Sequence, residues 1–273
     1  MGHSTTRKKT ASGETQSLWR AIAILDCFQP NKSELGVREI ARQLEMSTST
    51  VGRLLVTMHS AGILSQDPAS RRYHIGPKVL TWSSVYSNGL GIRDKARPAL
   101  EELHRLTNET VSIYIIDRDE RVCLDRIDSP ERVRVVVHLG ERMPLHAGSA
   151  GKAILAFMAP DLRDQVLSTK PLERLASNTI INRNSLLKEL SKVRKCGYAI
   201  SHSERFEDVI GLAAPIFDAG GNVVAALNFG APTMRFSERA ITKFIPKIKQ
   251  LAYQISQALG YLELPDKSQV RSK

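Results

Sequence analysis

Two short amphipathic helices around a tight turn, followed by a basic hairpin, restrict the fold of this chain more than any other feature. Apolar residues recur at helical spacing through Val37, Ile40, Ala41 and Leu44, which predicts a first helix. Ser47 is a suitable N-cap for a second helix, whose apolar positions are Val51, Leu54, Leu55 and Met58. A turn of about three residues suits two helices that cross steeply. The segment therefore predicts a helix-turn-helix.

The second helix leaves a face of short or forked hydrogen-bonding side chains outside its apolar stripe. They are Thr48, Ser49, Thr50, Arg53 and Thr57. The major groove of B-DNA admits one helix, Arg can bind guanine O6 and N7, and Ser or Thr can bond to several bases. We predict that this face reads DNA, with Arg38 and Ser47 as further contacts. A helical hairpin with a solvated polar face is the alternative that the two helices leave open.

The residues after the second helix favour the DNA-binding interpretation. Residues 65–76 read as a strand, a polar turn and a second strand, in which Tyr73 and Ile75 alternate with His74. Arg71 and Arg72 lie at the tip of this hairpin. Cations there can bind phosphates or enter a minor groove, contacts that position a protein without reading sequence. Residues 16–76 are thus predicted to form a winged helix-turn-helix.

Two further helices are expected around this domain. One precedes it and carries an apolar stripe that should be buried, either on the helix-turn-helix or against a second subunit. The stripe consists of Leu18, Ala21, Ile22, Leu25 and Phe28. The other is a linker helix over residues 77–91, which the pair Asn88 and Gly89 should stop. By composition, residues 1–15 and 265–273 are expected to be disordered tails.

Residues 92–264 alternate helical and strand patterns. Apolar runs predict strands at residues 111–116, 122–127, 133–139, 212–217 and 223–229. Helices are predicted at residues 94–109, 151–158, 162–167 and 185–196, with a single closing helix from Ser237. An antiparallel sheet flanked by helices, a GAF-like α+β domain, fits this order better than a parallel βαβ series.

The residues from Gly148 to Gly151 are the strongest candidate for a ligand contact. Small residues that open a helix expose backbone N–H groups to an anion, and a carboxylate is the obvious guest. A phosphate loop is excluded, because it needs a glycine where His146 stands and a Ser or Thr where Ala153 stands. Close helix packing is the alternative role for these small residues.

Five segments together resemble the IclR family of bacterial transcription regulators. They are residues 17–25, 37–64, 72–76, 145–153 and 211–218, and the resemblance extends over roughly residues 17–260. It implies the architecture just described, with an effector-binding domain at residues 92–264. It also implies a homodimer, or a dimer of dimers, on a double-stranded DNA operator.

The resemblance further implies where the effector binds. The candidate residues are His146, Gly148, Ser149, Ala150, Ser201, Gly211, Asn228 and Gly230. Ser201 falls where better-studied sensors of small acids place an acidic residue. Gly211 falls where they can have Cys, while Asn228 and Gly230 fall where they can have Ser. Two glycines in place of side chains should enlarge the cavity. We therefore expect a small organic acid of more than three carbons, with aromatic acids as one class. A structural role is the alternative for His146.

Composition adds limited support. The net charge of +11 favours a polyanion, but residues 1–91 carry only 11 Lys and Arg against 6 Asp and Glu. Cys27, Cys123 and Cys196 have no metal-ligand spacing, and their odd number argues against a disulfide framework. No apolar run approaches the roughly 20 residues that span a bilayer. A cytoplasmic protein without a membrane segment is expected.

Two classes of function are compared. The favoured class is a ligand-responsive, sequence-specific DNA-binding regulator, and the rival is an enzyme or metabolite-binding protein that acts through the C-terminal domain. Ser201, His202 and Glu204 are too close in sequence for a persuasive catalytic triad, and no metal-ligand cluster or glycine-rich cofactor loop is found. We expect no catalytic residue, no metal and no cofactor.

Overall fold

The computed structural model describes residues 15–29 and 31–262. It divides into two compact units, Met1–Gly89 and Leu90–Lys273. The disordered tails expected at residues 1–15 and 265–273 lie outside the described residues, apart from Thr15.

The N-terminal unit is a winged helix-turn-helix, as predicted. Its elements are α1 (Gln16–Asp26), α2 (Val37–Gln43), α3 (Thr48–Ser60), β1 (Leu64–Gln66), β2 (Tyr73–Ile75) and α4 (Lys78–Leu90). The Ser47 hydroxyl accepts the Thr50 N–H at 3.3 Å and so caps α3. β1 and β2 pair antiparallel, with Leu64 opposite Ile75. The buried core joins α1, α2, α3 and the hairpin through Ile24, Ile40, Leu55 and Tyr73.

The outer helices of this unit differ from expectation. The buried face of α1 carries Ile24 and Cys27, whereas Leu18 is 62% exposed and Ile22 is 40% exposed. Ala21, Leu25 and Phe28 of the predicted stripe pack partly buried against the core, so the expected burial within one chain fails only for Leu18 and Ile22, which lie on the side of the helix away from residues 24 and 27. α4 also continues through Asn88 and Gly89 and ends at Leu90.

The C-terminal unit is an antiparallel sheet between helices, as predicted. Its first elements are α5 (Ile92–Thr107), β3 (Thr110–Asp117), β4 (Glu120–Ile127), β5 (Arg142–Pro144), α6 (Ser149–Phe157) and α7 (Pro160–Thr169). These are followed by α8 (Arg183–Cys196), β6 (Ala199–His202), β7 (Val209–Phe217), β8 (Val223–Pro232), α9 (Glu238–Thr242) and α10 (Ile245–Ala258). The six strands are ordered β5-β4-β3-β8-β7-β6.

The sheet buries both of its faces. Along β7, Leu212 and Ala214 pack in the core shared with α5 and α10, while Ala213 packs in the core shared with α6 and α8. This alternation follows from the period of two in a strand. Because both faces are covered, a polar side chain on the sheet must find a partner inside the unit or face a cavity.

Three details of this unit correct the sequence prediction. Residues 133–139 form no strand, because the segment pairs with no neighbouring strand, although Val135 and Val137 are buried. The edge position beside β4 is taken by β5. β6 was not predicted. The closing helix, predicted as a single element from Ser237, is instead two helices, α9 and α10, which are separated near Phe244. Pro246 explains the break, because proline lacks an N–H and is accommodated only in the first turn of a new helix.

Candidate nucleic-acid interface and ligand pocket

The polar face of α3 is free of the protein core. Thr48, Ser49 and Arg53 are exposed and Thr50 is half-buried, while Val51, Leu55 and Met58 on the opposite side are buried. The guanidinium of Arg53 makes no hydrogen bond or ion pair with the part of the chain that the structure describes. A face of this kind can approach a base edge, because little side-chain bulk separates its backbone from solvent.

The other predicted contacts on the two helices surround this face. The hydroxyl of Ser47 lies 2.8 Å from that of Thr50 and 3.1 Å from that of Ser49. The Thr57 hydroxyl donates to the Arg53 carbonyl at 3.0 Å, which turns part of its hydrogen-bonding capacity inward. Arg38 is exposed on α2. The hydroxyl groups at the start of α3 therefore form one cluster.

The two arginines of the hairpin differ in their surroundings. Arg71 is exposed and adopts a left-handed backbone conformation, with φ of 58°. Arg72 instead donates to Glu39 at 2.7 Å and to the Glu34 carbonyl at 2.9 Å. The Gly36 N–H and then Arg72 hold the pKa of Glu39 below its ordinary value. The prediction of two equivalent tip cations is corrected, because Arg72 joins the hairpin to α2.

A cavity of about 50 Å³ lies in the C-terminal unit. It brings together most of the residues predicted as an effector site, namely Gly148, Ser149, Ala150, Ser201, Gly211, Asn228 and Gly230. His146 does not line it, because its Nε2 atom bonds to the Glu173 carbonyl at 2.9 Å. The structural alternative for His146 is therefore the one that the geometry favours.

Sheet register delivers the strand residues to the cavity. Ser201 of β6 lies opposite Gly211 of β7, and Gly211 lies opposite Gly230 of β8. Asn228 lies opposite Ser112 of β3 in the same sheet. The Ser149 hydroxyl, at the start of α6, donates to the Asn228 amide oxygen at 2.7 Å. The Asn228 amide nitrogen also donates to the Ser112 hydroxyl at 3.4 Å, so a polar network joins the start of α6 to β8 and β3, while β6 and β7 contribute lining residues.

The two glycines of the cavity differ in the space that they leave. A Cβ atom on Gly211 would lie 2.6 Å from the Ser149 hydroxyl oxygen and 3.0 Å from that of Ser201. A Cβ atom on Gly230 would meet the Val135 side chain at 3.6 Å. The expected enlargement is therefore wrong at Gly211, whereas the distance at Gly230 is an ordinary van der Waals contact, so that glycine leaves room for a small side chain. Gly211 instead permits the close approach of α6 to β7.

The helix start already holds an anion of the protein itself. The Gly148 N–H donates to a Glu204 carboxylate oxygen at 3.0 Å. The other oxygen of Glu204 lies 2.5 Å from the Nζ atom of Lys152, which is 1% exposed. Lys152 also donates to the Ile200 carbonyl at 2.6 Å. Sequence reasoning considered Lys152 only as part of a phosphate loop and did not anticipate this pair.

Sequence reasoning also missed Arg121, which lines the same cavity from β4. Its residue is 2% exposed, and burial lowers the pKa of its guanidinium to about 10, so it remains protonated at neutral pH. Arg121, Cys123 and Asp125 alternate with half-buried residues along β4. The sequence carries no local signal for this position, because Val122 and Leu124 make the opposite side of the strand the more apolar one.

Two searches of residues 15–29 and 31–262 gave negative results. No three His, Cys, Asp or Glu side chains are grouped so that they could hold a metal ion. No helix in these ranges is long and apolar enough to cross a membrane.

An exposed reading helix with a basic hairpin, and a cavity in a separate sheet domain, define the class of ligand-sensing, DNA-binding regulators. Comparison with protein families identifies the particular family within this class. The model of the IclR helix-turn-helix domain matches residues 17–68, and that of the bacterial transcriptional regulator IclR C-terminal domain matches residues 85–257. This chain belongs to the IclR family of bacterial transcription regulators.

Individual relatives agree over nearly the whole chain. The HTH-type transcriptional regulator BhcR of Paracoccus denitrificans is 33% identical, over 90% of this chain and 88% of the relative. The crystal structure of Thermotoga maritima IclR has a TM-score of 0.77 and 31% identity, over 90% of this chain and 99% of the other. An IclR homologue from Microbacterium hydrocarbonoxydans, complexed with 4-hydroxybenzoate, has a TM-score of 0.80 and 26% identity, over 89% of this chain and 98% of its own.

Proposed function

We propose that this regulator reads its operator with the exposed face of α3 and that a small organic acid in the cavity of the C-terminal unit modulates this binding. The observation that carries the DNA-reading part is the position of Arg53. Among the residues that the structure describes it has no ion-pair partner, and it lies beside exposed hydroxyl groups on a helix whose opposite face is buried. Arg71 at the hairpin tip supplies a phosphate contact, which adds affinity without selecting bases.

The cavity supports an acid as the effector. The start of α6 forms one wall, where the partial positive charge of a helix favours an anion; Glu204 takes up only the Gly148 N–H. A cavity that holds benzene measures about 150 Å³, whereas this one is about 50 Å³. We therefore place small acids first, and an aromatic acid requires the segment around Val135 to move outward. The 4-hydroxybenzoate complex of the Microbacterium homologue keeps aromatic acids in the comparison.

Calorimetry tests the effector class and its size. We expect one or more organic acids to bind the purified chain and to change its affinity for operator DNA, with a coupling of about 1–3 kcal/mol. Tight binding confined to two- or three-carbon acids contradicts the larger acids expected from the sequence. Failure of all organic acids to bind contradicts the effector class itself.

Exposed apolar side chains in the N-terminal unit support a homodimer. They are Leu18, Trp19 and Ile22 of α1, and Leu80, Trp82 and Val85 of α4. Contiguous exposed apolar residues commonly mark an interface. A two-fold pair presents two copies of α3 to one operator. We expect a dimer, or a dimer of dimers, by light scattering after size-exclusion chromatography, and a monomer at micromolar concentration contradicts the proposal.

The relatives are named as transcriptional regulators, and we propose that the C-terminal unit senses its ligand without transforming it. The side chains considered as a triad support this view, because Ser201 lines the cavity, His202 is exposed and Glu204 is bound to Lys152. A regulator that acts on chromosomal DNA works in the bacterial cytoplasm, where we place this protein.

Binding to the DNA upstream of its own gene tests the assignment of α3. Replacing Arg53 by Ala should weaken specific binding by about 5- to 150-fold, which corresponds to roughly 1–3 kcal/mol, and relax the preference for guanine at one position. Arg239→Ala is the matched control, because it removes an exposed cation from α9 in the other unit. Equal operator affinity of the Arg53→Ala and Arg239→Ala variants would remove Arg53 from the reading face.

A further inference from the structure

One cation in the wall of the cavity lacks a carboxylate partner. The Nη1 atom of Arg121 donates to the Pro144 carbonyl, and its Nη2 atom lies 3.7 Å from the Met143 sulfur. Its Nε atom is buried and has no partner within the described residues. A guanidinium carries five N–H donors in a planar fork. Most of the donors of Arg121 are therefore without a strong acceptor.

The acidic residues near Arg121 are bound to other cations. Glu204 lies 2.5 Å from Lys152, and Glu141 lies 2.5 Å from Arg205. Lys152 has a second carboxylate at 3.3 Å, from the half-buried Glu189. Across the described ranges, no carboxylate oxygen lies within 4.0 Å of the Arg121 guanidinium. Since an isolated buried charge is strongly unfavourable, an anion from outside the chain would complete this group.

The guanidinium lies directly against the start of α6. A Cβ atom on Gly151 would be 2.5 Å from the Nη1 atom of Arg121, and one on Gly148 would be 3.3 Å from its Nη2 atom. On another side, the guanidinium lies over the Tyr114 ring at 5.4 Å from the ring centre. The partial positive charge of a helix start and a full positive charge therefore occupy adjoining parts of one cavity wall.

We propose that Arg121 holds the carboxylate of the effector and selects anionic ligands over neutral ligands of the same shape. This inference rests on the proposed function, in which the cavity is the effector site. Nη2 is the donor left for a ligand, because Nη1 is bound to the Pro144 carbonyl, Nε is enclosed by protein, and Nη2 itself meets only the weakly accepting Met143 sulfur. An ionised carboxylate accepts a charge-assisted hydrogen bond from such a donor. The ligand class is a monoanionic carboxylic acid.

The test compares acids with their neutral amides on the full chain. The probes are acetate, pyruvate, benzoate and 4-hydroxybenzoate, each with its primary amide, and the measurement is calorimetric affinity. The wild-type chain should prefer an acid to its amide by about 10- to 100-fold, as a charge-assisted hydrogen bond provides. In the Arg121→Met variant this preference should fall to within about twofold, because affinity for the acid is lost and affinity for the amide is kept.

Arg142→Gln is the matched control. Arg142 lies on the neighbouring strand β5, where it is bound to Asp117 at 2.7 Å and to Glu120 at 2.8 Å. The control removes the same charge from the same sheet edge, outside the cavity, and should keep the wild-type preference. Arg121→Lys keeps the charge without the planar fork and should give an intermediate preference.

The outcomes separate this inference from the proposed function. An Arg121→Met chain that still prefers acids overturns the inference and leaves the regulator proposal intact. A wild-type chain that binds its operator but none of the acids contradicts the organic-acid effector and this inference together. If Arg121→Met does not give a cooperative thermal unfolding transition, the acid-to-amide affinity ratios of Arg121→Lys and of the wild-type chain test the inference instead. A wild-type ratio near one overturns it.

Discussion

Replacement of Lys152 by Met should strongly destabilise the C-terminal unit. The Nζ atom donates to Glu204 and to the Ile200 carbonyl, at 2.5 and 2.6 Å. Without it, the buried Glu204 carboxylate keeps the Gly148 N–H as a donor at 3.0 Å. Removing one partner of a buried ion pair costs roughly 3–5 kcal/mol. At about 2–4 °C per kcal/mol for a domain of this size, the melting temperature should fall by roughly 6–20 °C.

Calorimetry or far-ultraviolet circular dichroism is the appropriate assay, because both tryptophans, Trp19 and Trp82, lie in the N-terminal unit. The double variant Lys152→Met with Glu204→Leu should lose less stability than the two single variants added together, with a coupling of about 0.5–3 kcal/mol. The control is Lys170→Met, an exposed pair with Asp119 at 3.1 Å, which should change stability by less than about 1 kcal/mol. Equal melting temperatures for Lys152→Met and Lys170→Met would refute the reasoning.

Three further predictions follow from the contacts described. In anisotropy titrations over a salt series, Arg71→Ala should weaken binding to all DNA sequences alike and reduce the salt slope by about one. Arg72→Ala should also lower the melting temperature, because Glu39 loses its cationic partner. Equal melting temperatures for the two variants would contradict this difference. Gly211→Ala should lower the free energy of unfolding, measured by chemical denaturation, by about 1–3 kcal/mol, because its Cβ meets Ser149. Gly52→Ala, in open space on α3, should raise it by about 0.5–1 kcal/mol. A Gly211→Ala chain more stable than the wild type would contradict the prediction. At pH 8, mass spectrometry after brief alkylation should find Cys196 labelled, because it is exposed. Cys27 and Cys123 should stay unlabelled, because both are buried and burial raises the pKa of Cys27 and raises that of Cys123 to about 12. Rapid labelling of Cys123 would contradict its burial.

Local pattern was sufficient for the helix-turn-helix itself, although not for the outer helices α1 and α4. α2 and α3 each combine an apolar stripe with a recognisable start, so period and capping indicate the same helices. The edges of the large sheet could not be found in this way, because β5 has three residues and β6 has four. Strands of that length contain too few alternations to be identified alone; β1 and β2 are equally short but were predicted because a polar turn joins them as a hairpin. Residues 133–139 alternate as a strand would, yet they have no ladder partner.

The candidate site was only partly accessible to sequence reasoning. The resemblance to a known family indicated the helix start and the strand positions that line the cavity. It did not indicate the pair of Lys152 with Glu204, since the two residues are 52 positions apart and nothing local couples them. The volume at Gly211 was misjudged for a similar reason. A missing side chain opens space only if no neighbour fills it, and here Ser149 does.

The bond between Arg72 and Glu39 has a consequence for the length of DNA that one subunit can cover. Arg72 ties the hairpin to α2, and α2 packs against α3. The hairpin and α3, which we propose to contact one half-site, are then held at a distance that the protein fixes. An extra base pair within a half-site should therefore abolish recognition even when every contacted base is retained. In the proposed dimer, the same insertion between half-sites would instead report on the spacing of the two subunits.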